Sequence, residues 1–329
     1  MKRIFPLLVF LSVYANTTAQ PELEVDILLK RISYSEIIPE GLLAGRSVVL
    51  FDDDLSQKDL EDTQTVFQQT GIDAVAYFNS NDILAGVDPE KAFSNFLIAR
   101  QISFLIFFSK KSDYSFTFVR FNGKGDLIGK ESIAWQQKGT VLKELLMTIY
   151  RFAMSNLKKQ NLLINNFPEQ DIPIKYFTGR RSETYTAMVK SFRVAVPKFG
   201  TAKEDTILVQ LLKKYFPVKY ELVDPSLDDR ELERKGFITV LRFIHTQGKI
   251  AKKILEYDLS QIANSIASVV LVNGESQIKT IPADEPVFKF YIKHLEYGNI
   301  FLGNKWDADQ LWHVALANHL QLMRLDLKY

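Results

Sequence analysis

Three consecutive acids, Asp52, Asp53 and Asp54, are the strongest candidates in this sequence for a binding or catalytic site. They follow an apolar, β-branched run at residues 47–51, and α/β sheets place ligands at the ends of such strands. Packed carboxylates can bind a divalent cation, which is the one cofactor that the sequence suggests. Negative charge is also stabilised at a helix start by about 0.3 to 1 kcal/mol. The acids therefore predict either a cation site or a solvated helix start.

The loop before this strand, residues 41–47, resembles a phosphate-binding loop, and the strand with its acids resembles the segment that holds magnesium in nucleotide hydrolases. The loop is one residue short, and Arg46 stands where a lysine would reach the phosphates. It also leads into a strand, whereas phosphate-binding loops begin a helix. Both motifs would share one strand, although they must converge from different strands. A hydrolase using Asp52, Asp53 and Asp54 is therefore an alternative function and not the leading one.

A second pair of metal-ligating types lies near the C-terminus, where Asp309 and His313 are four residues apart and Asp307 is close by. A transition metal needs a third ligand of suitable spacing, and none is evident. Nucleophilic hydrolysis has little support, because the sequence contains no cysteine and no G-x-S-x-G motif. We therefore expect a protein without catalytic residues.

A basic pair, Arg180 and Arg181, follows Phe177 and Gly179 in a stretch of proline and polar residues. A loop between domains can hold an anion or a protein partner, because loops carry binding residues on rigid scaffolds. The same pair would also suit a solvated linker. Arg180 and Arg181 are our candidates for partner or anion binding.

The N-terminus predicts a secretory signal peptide, residues 1–19. Lys2 and Arg3 begin it, residues 4–14 are apolar, and small residues at 17–19 form the cleavage zone. The apolar run is too short to span a bilayer, which takes about 20 residues. With no cysteine, neither a disulfide nor a lipid-modified thiol is available. We expect an exported protein that does not span the membrane and is periplasmic, outer-membrane-associated or extracellular.

Charge and composition exclude one large class of partner. Removing Lys2 and Arg3 from the 41 basic residues leaves 39, against 39 acidic ones. Nucleic-acid-binding proteins carry a basic face that neutralises phosphates, so no nucleic-acid partner is expected. An apolar fraction of 47% with 24% charged residues is typical of a folded globular protein. The oligomeric state is left open.

Apolar patterns predict an α/β order in residues 20–160. The predicted strands are 47–51, 73–78 and 102–109, and the predicted helices are 56–70, closed by Gly71, and 89–99, capped by Asp88. Residues 122–125 predict a hairpin turn between strands at 114–121 and 127–135. A helix with a stripe of apolar side chains, from Val141 to Ala153, follows.

The same order returns in residues 192–329. Strands are predicted at 193–196, 219–223, 237–245, 250–257, 268–272, 277–281 and 287–294. Helices are predicted from Thr201, over 226–235, and over about 308–325 with Asp307 as a cap. Trp135 and Trp306 each precede a final helix. The sequence therefore predicts two similar α/β modules from an internal structural duplication, each a mixed sheet flanked by helices and joined by a connector at 161–191.

Five stretches together resemble a family of exported, functionally unassigned two-module α/β proteins from Bacteroidota-type bacteria: residues 41–51, 70–78, 156–165, 195–200 and 298–309. The resemblance spans most of the chain after the signal. It implies two α/β modules and an envelope location, and it brings no catalytic residues. The order of elements is also similar to that in periplasmic assembly factors of the TolB and curli-secretion type, which is an analogy of fold.

Export, duplication and the missing catalytic motifs favour a non-catalytic envelope protein. It would act as a binding or scaffold component with an envelope protein partner, in an outer-membrane or secretion assembly. The alternatives are a metal-dependent hydrolase or NTPase using Asp52, Asp53 and Asp54, and a small-ligand or glycan-binding protein that uses a cleft between the modules.

Overall fold

The computed structural model describes residues 28–30, 32–124, 127–129, 132–170, 172–260, 264–272 and 274–328. The predicted signal peptide, residues 1–19, lies outside these described residues. Within the described ranges, no helix has both the length and the apolar character needed to cross a membrane.

The first module is built on a six-stranded mixed sheet. Its strands are β1 (Ser33–Ser35), β2 (Arg46–Phe51), β3 (Asp73–Asn79), β4 (Ile102–Lys110), β5 (Tyr114–Arg120) and β6 (Ile133–Gly139). They lie in the order β1-β6-β5-β4-β2-β3. Strand β2 is parallel to β3 and β4, the β4–β5–β6 meander is antiparallel, and β1 is parallel to β6.

The second module repeats this sheet strand for strand. Its chain contains β7 (Arg181–Ser182), β8 (Val194–Pro197), β9 (Tyr220–Val223), β10 (Thr239–Gln247), β11 (Ser265–Val272), β12 (Glu275–Pro282), β13 (Pro286–His294) and β14 (Ile300–Phe301). Six of them form a sheet in the order β7-β14-β13-β10-β8-β9, with the same pattern of parallel and antiparallel pairs. The predicted fold class, two similar α/β modules with mixed sheets, is confirmed.

Helices cover both sheets. They are α1 (Gln57–Thr70), α2 (Ser80–Ile83), α3 (Val87–Ala99), α4 (Leu142–Asn156), α5 (Ala187–Ser191), α6 (Ala202–Tyr215), α7 (Asp229–Arg234), α8 (Gly248–Ile254) and α9 (Trp312–Asp326). The pair α1 and α4 packs on one face of the first sheet, and α6 and α9 pack on the equivalent face of the second. Ser56 caps α1 and Gly71 ends it in the left-handed region, as their residue types predict.

One insertion distinguishes the modules. Helix α8 and the β11–β12 hairpin lie between β10 and β13, whereas β4 and β5 are joined by residues 111–113 alone. The predicted strand at 250–257 is wrong, because the segment begins as helix α8. Ile250, Ala251 and Ile254 share one buried side of that helix, which is a helical spacing that an apolar run conceals.

Two predicted helix caps are also wrong. Helix α3 begins at Val87 and α9 at Trp312, so neither Asp88 nor Asp307 is an N-cap. Both carboxylates are instead buried and paired with lysines of β13. The local sequence around each acid gives no sign of that lysine. The predicted hairpin is present, since β5 and β6 are antiparallel neighbours, but β6 begins at Ile133 instead of residue 127.

The predicted connector, residues 161–191, is divided between the modules. Its first part runs along the outer edge of β3, where the Tyr77 amide donates to the Glu169 carbonyl and the Glu169 amide donates to Val75, each at 2.9 Å. Its last part forms β7 and α5 of the second module. The segment is thus fixed to both sheets by backbone hydrogen bonds.

A buried network of charges joins the two modules. Asp88, in the first turn of α3, accepts hydrogen bonds from the Tyr291 hydroxyl at 2.6 Å and from the Lys293 ammonium, both on β13. Lys293 also pairs with Asp229 at 2.9 Å. Arg242 and Lys91 each reach Asp229 at 3.0 Å. Every charged member therefore faces a partner of opposite sign.

Backbone contacts extend this interface beside the charges. The His245 amide donates to the Ala85 carbonyl at 3.0 Å, and the Thr246 hydroxyl donates to the Asn81 carbonyl at 2.9 Å. Lys253 pairs with Asp82 at 2.7 Å. The α2–α3 segment of the first module is thus docked on β10 and α8 of the second.

We expect Lys293→Met to destabilise the protein by about 3 to 5 kcal/mol, because the change leaves the buried Asp88 carboxylate without a cation. Urea unfolding followed by circular dichroism measures the loss. The matched control is Lys143→Met, on the exposed side of α4, which should change stability by no more than about 0.5 kcal/mol. Equal unfolding midpoints for the two variants would contradict the structural role of the network.

The same network makes stability depend on acid pH. Burial raises the pKa of Asp229, but the charges of Lys293, Lys91 and Arg242 outweigh burial and hold the pKa below its ordinary value of 3.8. A lowered folded-state pKa contributes stability at neutral pH that is lost as the pH falls below the unfolded-state value. We expect Asp229→Asn to flatten this acid limb. Urea midpoints measured from neutral pH downward test it, and an unchanged slope would contradict it.

Candidate functional site

The three predicted acids lie at the carboxyl end of β2, just before α1. Asp52 is half-buried, and its carboxylate accepts a hydrogen bond from the Ser80 hydroxyl at 3.0 Å. Asp53 and Asp54 are exposed. The acids therefore occupy the sheet edge that the sequence predicts, and they also precede a helix start.

Asp53 contacts both modules. One carboxylate oxygen accepts a hydrogen bond from the Asn79 amide, and the other accepts from Asn81 at 3.2 Å and from Gln247 at 2.7 Å. Among the described residues, no group of three or more acids and histidines is arranged to hold a metal ion. The cation site stays a prediction, and the observed role of Asp53 is to hold Gln247 of the second module.

A pocket of about 430 Å³ opens beside Asp52. Strands β3 and β4 lie on opposite sides of β2, so the strand order reverses at this point. Ligands of α/β sheets bind at the carboxyl ends of strands where such a reversal occurs. The pocket is lined by Asp52, after β2, and by residues of β1, β4, β5 and β6. Of these residues, Asp52 alone is a candidate from the sequence.

The loop that resembles a phosphate-binding loop lies at the other end of β2. Leu42 and Leu43 are buried in the core, and the Arg46 guanidinium donates to the Arg100 carbonyl at 3.2 Å. Arg46 begins β2 and Asp52 follows its end, so the two motifs are about 20 Å apart at roughly 3.3 Å per residue. The structure does not bring them together.

The predicted basic pair divides into two roles. Arg181 is in β7, where its guanidinium donates to the Leu255 carbonyl at 2.9 Å and lies over the Tyr257 ring at 4.4 Å. It also pairs with Glu183 at 2.9 Å. Arg180 has an exposed side chain, while its backbone bonds to Asn299 and Ile300. Arg180 is therefore the member of the pair with a guanidinium presented to solvent.

A buried charge cluster in the second module escaped the sequence reasoning. The Lys289 ammonium donates to Asp307 at 2.6 Å and to the Leu302 carbonyl at 2.8 Å, while the other Asp307 oxygen lies 3.1 Å from His319 Nδ1. Burial lowers the pKa of Lys289, and Asp307 opposes that shift. A lysine between aromatic positions of a predicted strand was the available signal. These side chains are sealed from solvent, so the cluster lies in the core of the second module and has no surface for a ligand.

The C-terminal metal pair does not share a helix face, because α9 begins at Trp312 and Asp309 precedes it. Asp309 is buried and accepts a hydrogen bond from the Lys279 ammonium at 2.7 Å. His313 lies edge-on to the Trp312 ring, with the ring centroids 5.7 Å apart. Asp309 therefore holds the β11–β12 hairpin against the sheet.

Three large apolar side chains project into solvent from the segment that follows α4. Leu162 is 92% exposed, Leu163 is 91% exposed and Phe167 is 86% exposed. We call these three residues the apolar knob. Clustered exposed apolar groups mark surfaces that bind another molecule, and these three residues lie within six positions of the chain.

The backbone that carries the apolar knob is fixed by hydrogen bonds. The Asn161 side chain donates to the Gly71 carbonyl at 3.0 Å, and the Asn165 backbone amide donates to the Asp73 carboxylate at 3.0 Å. The Gln64 side chain donates to the Asn165 carbonyl at 2.8 Å. The exposure is therefore a property of an anchored segment. Sequence reasoning assigned this segment to the connector, although two leucines and a phenylalanine among amides and lysines were the available signal.

Comparison with known proteins adds no assignment: the sequence matches no protein-family model and no curated protein. Functional inference therefore depends on the geometry of the pocket and of the apolar knob.

We expect Mg²⁺ and Ca²⁺ to leave the melting temperature unchanged, because both oxygens of Asp53 already accept amide hydrogens. A cation bound at a hundred times its Kd would add about 2.7 kcal/mol of stability, which thermal unfolding readily detects. Wild type, Asp53→Asn and the exposed Asp54→Asn are compared with and without each cation. A cation-dependent rise that Asp53→Asn abolishes would establish the predicted cation site instead.

Proposed function

We propose that this chain is a non-catalytic, exported binding protein of the cell envelope. Its two modules form one scaffold that docks on a protein partner through the apolar knob. The observation that carries this proposal is the near-complete exposure of Leu162, Leu163 and Phe167 on an anchored segment. Burying a large apolar side chain contributes about 1.5 to 3 kcal/mol, so covering three of them would drive association.

Charge around the apolar knob favours a protein over an anionic surface. Residues 158–171 contain two basic residues, Lys158 and Lys159, and two acidic ones, Glu169 and Asp171. A neutral segment gives no electrostatic attraction to anionic lipid or nucleic acid. The remaining neighbours are mostly amides, and an apolar centre within a polar rim is the composition of protein interfaces.

The contacts of the ionisable residues support a binding role over a reaction. Asp53 and Asp309, which the sequence offered as ligands for a metal, bond to Gln247 and Lys279 of neighbouring elements. The buried ion pairs at Asp88 also hold the modules together. A rigid scaffold presents its surface already organised, which lowers the entropic cost of binding.

The location of the protein rests on the sequence. The predicted signal peptide and the resemblance to an exported family support an envelope protein. The similar order of elements in periplasmic assembly factors supports a place in an outer-membrane or secretion assembly.

The test is affinity purification of the tagged chain from gently solubilised envelopes. We expect the wild type to bring down a defined protein complex. A variant with Leu162→Ser, Leu163→Ser and Phe167→Ser should recover at least about tenfold less of it, since tenfold is only 1.4 kcal/mol of binding free energy.

The control carries the same type of change elsewhere: Ile37→Ser, Ile133→Ser and Ile278→Ser, at positions 77%, 62% and 75% exposed. It should recover the complex as the wild type does. Equal recovery by both triple variants, or a wild type recovered only as a free monomer by light scattering, would overturn the proposal. A stoichiometric dimer of the chain would assign the apolar knob to self-association instead, and would also overturn it.

A further inference from the structure

The two sheets differ in what covers one of their faces. In the second module α8 packs there, with Ile250 and Ile254 against Ile244 and Val287 in one buried cluster. In the first module nothing equivalent is inserted, since residues 111–113 alone join β4 to β5. The pocket beside Asp52 lies on the corresponding face of the first sheet, next to Leu29 and Lys30.

Strand register identifies matching positions on the two faces. The last residue of β4, Lys110, pairs with the first residue of β5, Tyr114. In the second module the last residue of β10, Gln247, pairs in the same way with the first residue of β13, Pro286. The next pair along the first sheet is Ser109 with Ser115, and the matching pair in the second sheet is Thr246 with Val287. Val287 is buried under the insertion, whereas its counterpart Ser115 lines the pocket. The open face therefore has a hydroxyl where the closed face has an apolar side chain.

The lining of the pocket suits a polar ligand with a negative charge. Three lysines, Lys30, Lys111 and Lys138, line it together with two acids, Asp52 and Asp113. The fixed charge of the lining is thus +1. Lysine ammonium groups are common partners of phosphate and carboxylate oxygens.

Neutral side chains complete the pocket. The hydroxyls of Ser109 and Ser115 can bond to ligand hydroxyls. The Tyr34 hydroxyl donates to the Leu29 carbonyl at 3.1 Å and the Gln136 amide donates to the Thr117 hydroxyl at 2.9 Å, so both side chains are held in place at the pocket. A volume of about 430 Å³ is within the range of sites for small molecules. Aromatic, hydroxyl and amide groups around a single excess positive charge match a sugar ring that carries one anionic group.

We propose that the pocket at the carboxyl end of β4 binds an acidic monosaccharide, whose single anion is a carboxylate or a phosphate monoester. This inference goes beyond docking through the apolar knob and is independent of it. The site belongs to the first module, because α8 packs against Val287 at the matching position of the second.

The test is isothermal titration calorimetry of the full exported chain with glucose 6-phosphate and with glucuronate. We expect one of them to bind, which distinguishes the phosphate from the carboxylate. Glucose has the sugar ring without the anion, and inorganic phosphate has the anion without the ring. Each should bind at least about tenfold more weakly. Absence of binding by both acidic sugars, or equal binding by inorganic phosphate alone, would overturn the proposal.

Two variants assign the site. Lys138→Gln removes an exposed positive charge of the pocket, and Ser115→Val introduces the residue found at the matching position of the closed module. Each should weaken binding at least about tenfold, while Lys143→Gln on α4 should not. Urea unfolding verifies that the variants are folded. Unchanged affinity in both pocket variants would overturn the site, and the apolar knob triple variant should keep full affinity, which separates the two proposals.

Discussion

The contact on which the rest of this structure depends is the bridge of Lys293 between Asp88 of the first module and Asp229 of the second. Removing such charges from water costs several kcal/mol each, and only good geometry with opposite charges offsets the cost. The arrangement is therefore tolerable only when α3 is docked on β13. The Lys293 bridge therefore determines the relative orientation of the modules more than the free energy of their association.

Because the interface is fixed, the two copies of the fold can serve different purposes. The second sheet is sealed on the face of Ile244 and Val287 by α8, and it also accepts the α2–α3 segment of its neighbour. The first sheet keeps the corresponding face open at Ser109 and Ser115. The apolar knob lies on a segment that runs along β3 of the first module. Both proposed binding surfaces thus belong to the module that lacks the insertion.

Helix boundaries show how local and distant forces compete for the same residue types. Ser56 and Thr201 cap their helices, and each hydroxyl also donates to the acid three residues further on, Asp59 or Glu204. Asp88 and Asp307 carry the same local signal, yet Lys293 and Lys289 bind their carboxylates in the interior. An ion pair with a buried lysine outweighs a helix cap worth about 1 kcal/mol. The sequence contains both partners and no indication that they meet.

The sequence by itself determined the two-module α/β fold, since alternating apolar patterns and Gly and Pro positions act over a few residues. It also placed Asp52, Asp53 and Asp54 at a strand end. Only the tertiary structure decided that Asp53 holds Gln247, that the β2 motifs lie at opposite ends, and that Leu162 and Phe167 are exposed. Those outcomes depend on contacts between residues far apart in the chain, and burial is a property of the packed whole.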